Sequence, residues 1–375
     1  MKILLLGEYS NVHHTLAEGL KALGHEAVVA SDGDSWKDYP RDIDLARNLD
    51  SPMGKIDFML RLAKSLPRMR GFNVVQLINP IFFELKAERI MPFYKYLRRN
   101  NGKMVMGAFG MDHYWAQVNT QAKPLRYSDF NFGNTVRSDA EAEKFRKEWI
   151  GTAKEQLNRS IALDCDGIPA GLYEYWATYN EVTEKGRNGI AIKEKMEFIP
   201  YPIKPATNPN TTFSGGPVRL FIGISKDRSV YKGTDIMLAA AQQITSDYPG
   251  KVELRIAEGV PFETYQNMIN ESDAILDQLY SYTPSMNALL AMSKGIINIG
   301  GGEPENYTIL GENELRPIIN VEPNYESVYS QLRELVLNPE RIAQLKRESV
   351  EYIARHHDYV KVAGKYIRFY QERLL

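Results

Sequence analysis

Twice along this 375-residue chain a short apolar run ends in a turn, passes into a helical pattern and is followed by another apolar run. The first instance is N-terminal. Residues 2–6 are apolar enough to form a strand buried on both faces. Gly7 closes that strand, and Leu16, Leu20 and Leu23 share one side of a helix. Gly24-His25 stops the helix, and residues 27–30 begin the next strand. Strand, turn, helix, strand is a βαβ unit with a right-handed crossover and parallel strands. Further strands are expected at 74–78, 103–106 and 161–168, with helices over 51–70, 83–99, 140–160 and 172–179. From Trp115 to Gly133 the pattern breaks, which fits either a functional loop or a packed surface excursion. Residues 201–217 are rich in Pro, Asn and Gly and read as a linker. The alternation then restarts, with strands at 218–222, 252–257, 274–279, 296–299 and 317–321. Helices are expected at 233–245, 262–270, 284–293, 325–336, 339–355 and 359–375. The pattern predicts an α/β protein of two domains, 1–204 and 205–356, each a parallel sheet flanked by helices.

Composition narrows the chemistry. Lys and Arg number 46 against 47 Asp and Glu, a formal net charge of −1, so no overall field favours nucleic acid. A single cysteine, Cys165, excludes an intramolecular disulfide and a cysteine-cluster metal site. The N-terminal apolar run is too short for a signal peptide, and no stretch is long enough to span a bilayer, so the expected address is cytoplasmic. Arg61, Lys64, Arg68 and Arg70 alternate with Leu60, Leu62 and Leu66; they fit either contact with an anionic membrane or a solvated helix face.

In parallel sheets ligands bind at the carboxyl ends of strands. Four such places carry chemistry. Gly7, ahead of a helix N-terminus, permits close approach of an anion or simply makes a tight turn. Asp112-His113 follows the strand at 103–106, placed to meet sugar hydroxyls or developing charge, although a lone histidine is as often structural. Lys226, Arg228 and Lys232, with Gly233, lie between a strand and a helix start. Cations repel one another there, where the helix dipole is also positive, unless a phosphate sits among them; a solvated basic loop is the alternative. The fourth place joins Thr283, Ser285 and Asn287 to Gly301, Gly302, Glu303 and Glu305. Thr283-Pro284 reads as an N-cap followed by proline at the first helical position. The glycines allow close backbone approach, and the glutamates can accept hydrogen bonds from hydroxyls.

These residues together resemble the GT-B glycosyltransferases, most closely the retaining family 4 type. Gly7…His13-His14-Thr15-Leu16-Ala17-Glu18-Gly19-Leu20…Leu23-Gly24-His25-Glu26 resembles the family's opening, a glycine loop before a helix ending in "GHEV". Phe198-Ile199-Pro200-Tyr201-Pro202-Ile203 resembles its "VIPNGVD" segment. Lys232-Gly233-Thr234-Asp235 with Lys226 resembles its "R…KG" phosphate signature, and Ala291-Met292-Ser293-Lys294-Gly295 its "EAMACG" helix end. The resemblance implies two Rossmann-like domains facing across a cleft, with residues 357–375 returning to the first. It implies a nucleotide-diphosphate sugar bound by the second domain and a saccharide, lipid-linked or other hydroxyl acceptor bound by the first. Lys232, with Lys226 or Arg228, would hold the diphosphate, so no metal or cofactor is expected. Asp112 and His113 would lie by the transferred sugar. The acceptor would attack the face that the leaving phosphate departs from, with retention and without a protein nucleophile.

The chain departs from that pattern at the family's E-x7-E pair, where Tyr282 and Leu290 stand. Nucleotide grip then falls to Glu303, Glu305 or Asn287. The missing carboxylates favour an alternative, a non-catalytic relative that binds a nucleotide sugar or glycan. A dinucleotide-dependent enzyme is disfavoured, because no G-x-G-x-x-G is present.

Overall fold

The computed structural model describes residues 1–47, 52–225 and 228–374, with the side chains of residues 52, 53 and 262 left out. The chain divides into two units. Unit 1 comprises Met1–Pro124, Phe145–Pro202 and Tyr359–Leu375; unit 2 comprises Leu125–Lys144 and Ile203–Asp358. Relative to the expected division, residues 125–144 leave the N-terminal half of the sequence and pack with unit 2.

Unit 1 is built on a parallel sheet of β1 (Lys2–Leu6), β2 (Glu26–Ser31), β3 (Ile43–Asp44), β4 (Val74–Leu77) and β5 (Lys103–Met106), in the order β3-β2-β1-β4-β5. Ile3, Leu4, Leu5 and Leu6 are wholly buried, as a strand covered on both faces requires. A hairpin of β6 (Asn131–Phe132) and β7 (Thr135–Val136) belongs to unit 2. In unit 1, β8 (Ile168–Ala170) extends the sheet through bridges at Val105–Gly167 and Ala108–Ala170 and pairs with β9 (Met196–Phe198). The helix Tyr359–Arg368 returns to unit 1, as expected, and crosses Val12–Ala22 at Gly19. A Cβ on Gly19 would lie 2.3 Å from the Tyr359 carbonyl oxygen, so only glycine permits this approach.

Unit 2 has a parallel sheet of β10 (Val218–Ile224), β11 (Val252–Glu258), β12 (Ala274–Leu276), β13 (Ile297–Gly300) and β14 (Ile319–Asn320), in the order β11-β10-β12-β13-β14. Its core joins Leu220, Ile222 and Leu276 to Met237, Ala241 and Ile244 of the helix Thr234–Asp247. The fully buried Asp273 pairs with Arg219 at 2.9 Å and Lys346 at 2.8 Å, which satisfies a charge that would otherwise be costly to bury.

Several expected elements move. Residues 113–121 are not irregular: His113–Gln121 is a helix. Its inward face carries Asn119, whose amide donates to the Trp115 carbonyl and Thr178 Oγ1, and this polar residue hides the period. Residues 140–160 form two helices, Ala140–Trp149 and Ala153–Asp164, parted at Gly151, whose φ of 73° is left-handed. The strand expected at 161–168 is confined to Ile168–Ala170, because Leu157 and Ile161 share the buried face of the preceding helix. The helix expected from Pro284 is Met286–Ser293, capped by Ser285 rather than Thr283.

Candidate functional site

In an open parallel sheet the loops diverge where the strand order reverses, and ligands favour that point. In unit 2 the reversal lies between β10 and β12. The turn after β10 and the loop after β12 interlock there. Leu279 donates its backbone N–H to the Lys232 carbonyl at 3.0 Å, and a Cβ on Gly233 would sit 2.8 Å from Leu279 Cβ. Gly233, with φ of 73°, ends the short turn Ser229–Lys232 and starts the helix Thr234–Asp247. Arg228 is exposed, its guanidinium 5.5 Å from the Tyr231 ring centroid, and Lys232 is half-buried. Lys226 lies outside the described residues.

Asp277, just past β12, lies within the electrostatic reach of Lys232. It accepts hydrogen bonds from the Ser285 backbone N–H at 3.0 Å and from Ser285 Oγ at 2.7 Å. Burial pushes its carboxyl above the ordinary range, while the Ser285 bonds and the Lys232 charge pull it down. The structure therefore gathers Lys232, Gly233, Thr283 and Ser285 at the switch point. Thr283 is buried, and its carbonyl accepts from Ser281 Oγ. Asn287 turns elsewhere and donates to Tyr265 Oη at 3.0 Å.

The loop after β13 is less open than its glycines suggest. A Cβ on Gly301 would lie 2.3 Å from the Ser281 carbonyl oxygen, and one on Gly302 would lie 2.6 Å from Ile318 Cγ2. The fold itself needs both glycines, so they are not evidence of close ligand approach. Glu303 accepts from Arg126 Nη2 at 2.7 Å, Tyr127 Oη at 2.5 Å and Asn320 Nδ2 at 3.2 Å. Glu305 is bonded by both Arg126 Nη atoms. Burial raises the Glu305 carboxyl, but the Arg126 bonds outweigh it and hold it below the ordinary range. Both glutamates that the sequence offered for a ribose or sugar hydroxyl are thus paired with Arg126 within unit 2. Arg126 lies over Tyr282, 4.9 Å from its ring centroid, and its backbone N–H donates to Tyr282 Oη at 2.6 Å. The position where the resemblance expects a carboxylate is thus the docking point of residues 125–144. Sequence reading missed Arg126, Asp277 and this docking. A carboxylate directly after an apolar strand was the available signal for Asp277.

In unit 1 the reversal lies between β1 and β4. A Cβ on Gly7 would lie 2.3 Å from Ile78 Cγ2, so packing against the chain after β4 already requires this glycine. His13 is fully buried; its Nδ1–H donates to the Gly7 carbonyl at 2.8 Å, and Nε2 accepts from the Gln76 amide at 3.2 Å. Gln76 Oε1 in turn accepts from Tyr370 Oη at 2.7 Å. Burial lowers His13 to about 3, so it stays neutral. Glu8, also missed from sequence, is buried and accepts the backbone N–H groups of His13 and His14; burial nevertheless raises its carboxyl to about 8.

The expected catalytic pair lies inside unit 1. Asp112 caps the helix His113–Gln121, accepting the Trp115 N–H at 2.8 Å and Tyr179 Oη at 2.5 Å, and burial raises it to about 6. His113 is also fully buried. Its Nδ1 meets the Trp149 carbonyl at 3.1 Å, and burial lowers its basicity. The two side chains bind separate partners within unit 1 and both are fully buried, with His113 Nε2 left without a hydrogen-bond partner among the described residues.

On the helix Pro52–Ser65, Phe58 and Leu62 face the core, whereas Ile56 (62%), Met59 (40%) and Leu60 (56%) are exposed. Leu62 therefore does not belong to the outward stripe expected from sequence. Among the described residues, no helix is long and apolar enough to cross a membrane.

No known family's sequence profile matches the chain, and neither does any curated protein. Solved structures do. Sucrose-phosphate synthase from Thermosynechococcus elongatus superposes with a TM-score of 0.62 at 11% identity over 99% of both chains. Anabaena Alr3699/HepE in complex with UDP-glucose gives 0.57 at 11% identity, over 99% of this chain and 100% of that one. WaaG, a glycosyltransferase involved in lipopolysaccharide biosynthesis, gives 0.54 at 11% identity over the same shares. At such identity the likeness is one of fold. The chain has the GT-B fold of these proteins, with two Rossmann-like units.

Proposed function

We propose that this protein is a glycosyltransferase that moves a sugar from a nucleotide-diphosphate donor to a hydroxyl acceptor. The observation that carries the reading is the likeness along 99% of the chain to a structure holding UDP-glucose, joined to a basic turn at the unit 2 switch point. Arg228 and Lys232 would bind the diphosphate. Cations fixed beside a helix start stabilise the charge that develops on a leaving phosphate, without need of a metal ion. The acceptor oxygen forms a bond to the anomeric carbon as the bond to the phosphate oxygen breaks. The acceptor proton passes to the departing phosphate, so retention needs no protein nucleophile. The acceptor is a saccharide, a lipid-linked saccharide or another hydroxyl compound. The buried Asp112 and His113 are left out of this scheme.

The reading is tested by incubating the protein with UDP-, GDP- and ADP-sugars and following nucleoside diphosphate release with and without oligosaccharide acceptors. Release from one donor class, reduced in Lys232→Ala, is expected. Binding of a nucleotide sugar with no release would favour the non-catalytic relative, which the Tyr282 and Leu290 departures support. Binding of none would overturn both.

We also propose that the helix Pro52–Ser65 rests on an anionic bilayer. Ile56, Met59 and Leu60 form an outward apolar stripe, and Lys55, Lys64, Arg68 and Arg70 stand exposed around it. Apolar burial and attraction to acidic headgroups add in such a helix. Co-sedimentation with phosphatidylglycerol vesicles is expected, with loss in Ile56→Asn/Leu60→Asn and in high salt. Equal sedimentation of the wild type and the double variant would refute the contact.

A further inference from the structure

Residues 125–144 follow unit 1 in sequence, yet they pack with unit 2, and their two arginines clasp alternate residues of the loop after β12. Arg126 lies over Tyr282, and Tyr127 packs against the same ring, tilted by 38° with centroids 4.8 Å apart. Arg137 lies over Tyr280, its guanidinium 3.7 Å from the ring centroid. The Arg137 side chain is 9% exposed and uses its whole fork: Nε donates to Asp139 Oδ2 at 3.0 Å, Nη1 to the Ser128 carbonyl at 3.3 Å, and Nη2 to the Val230 carbonyl at 3.0 Å.

That last bond matters because of what Val230 belongs to. Ser229–Lys232 is a single helical turn, too short to be stable by itself. It carries Lys232 and follows Arg228, close to a helix start where cations are unfavourable. Its geometry must therefore be imposed from outside, at two carbonyls: the Leu279 N–H holds that of Lys232 at its end, and the Arg137 fork holds that of Val230 in its middle. A planar guanidinium braced against Tyr280 and Asp139 has little freedom left, so the carbonyl it grips is fixed as well.

We infer that Arg137 is a positioning residue: it sets the basic turn Arg228–Gly233 in the shape that receives the donor diphosphate. The inference rests on the proposed function for its ligand, but the positioning itself is measured without one. Hydrogen exchange of the wild type, Arg137→Ala and Arg137→Lys is followed for residues 228–233 and for β10, alongside calorimetric titration with UDP, GDP and ADP. In Arg137→Ala, exchange at 228–233 is expected to speed at least tenfold while β10 stays protected, and affinity for the diphosphate that binds to fall about tenfold. Arg137→Lys keeps the charge but not the fork, and it is expected to behave like Arg137→Ala. Unchanged exchange at 228–233 would overturn the inference. So would equal acceleration throughout β10, which would make Arg137 a general clamp of unit 2, or wild-type behaviour of Arg137→Lys. If the wild type binds none of UDP, GDP and ADP, the functional reading falls, and the exchange pattern still decides the positioning.

Discussion

At the carboxyl end of β1, unit 1 closes its turn on itself. Glu8 takes two backbone N–H groups, His13 is held between Gly7 and Gln76, and both are buried among their own partners. At the equivalent end of β10, unit 2 leaves Arg228 exposed and Lys232 half-buried, and braces the turn from residues 125–144. Both sheets reverse strand order at this point, yet one reversal is sealed by buried hydrogen bonds and the other keeps cations within reach of solvent. Topology marks both places as ligand sites; the side chains decide which one can receive an anion.

The sharpest way to break the comparison is to disturb the sealed end. In Gly7→Ala the new methyl meets Ile78 Cγ2 at 2.3 Å, on a backbone with φ of 84°. Overpacking and left-handed strain together should cost about 3 kcal/mol, read as a lower denaturant midpoint for unit 1. If Gly7 instead serves a ligand, stability should barely change and nucleotide binding should fall.

The pH response sharpens the contrast further. Burial raises Glu8 from 4.5 to about 8, so the folded state holds a proton that the unfolded chain has lost across that window. The stability linked to Glu8 is fully present below about 4.5 and is lost as pH rises through about 8. Glu8→Gln should flatten unit 1's stability across this range, as followed by urea unfolding at several pH values. An unchanged slope would show that Glu8 is already ionised in the fold.

The smallest effect belongs to the brace. Arg126 is 55% exposed in its side chain, so solvent weakens its pairs with Glu303 and Glu305. Arg126→Ala should cost about 1 kcal/mol of unit 2 stability and let the Glu305 carboxyl rise from its depressed value. A larger loss would mean that Arg126 holds residues 125–144 onto unit 2 rather than pairing at its surface.

What was legible in the sequence follows from the range of the interactions. The βαβ alternation, the glycine stops and the returning helix are local patterns, and they gave the fold. The basic turn was visible for the same reason, since Arg228, Lys232 and Gly233 are neighbours in the chain. The Arg126–Glu303 and Arg137–Val230 contacts join segments far apart in sequence, so no local pattern announces them. The burial of Asp112 and His113 was not legible, because position at a strand end is local, whereas contact with Tyr179 and Trp149 is not. Asn119 likewise hid a helix by placing a polar residue on its inner face.

The central claim is that unit 2's basic turn binds a nucleoside diphosphate while unit 1's turn does not. Calorimetric titration of the wild type, Lys232→Ala and Glu8→Gln with UDP, GDP and ADP tests it directly. One diphosphate should bind the wild type and Glu8→Gln alike. Lys232→Ala should lose about 2 kcal/mol, the worth of a hydrogen bond to a charged group, or about thirtyfold in affinity. Undiminished binding in Lys232→Ala, or a loss confined to Glu8→Gln, would contradict the account.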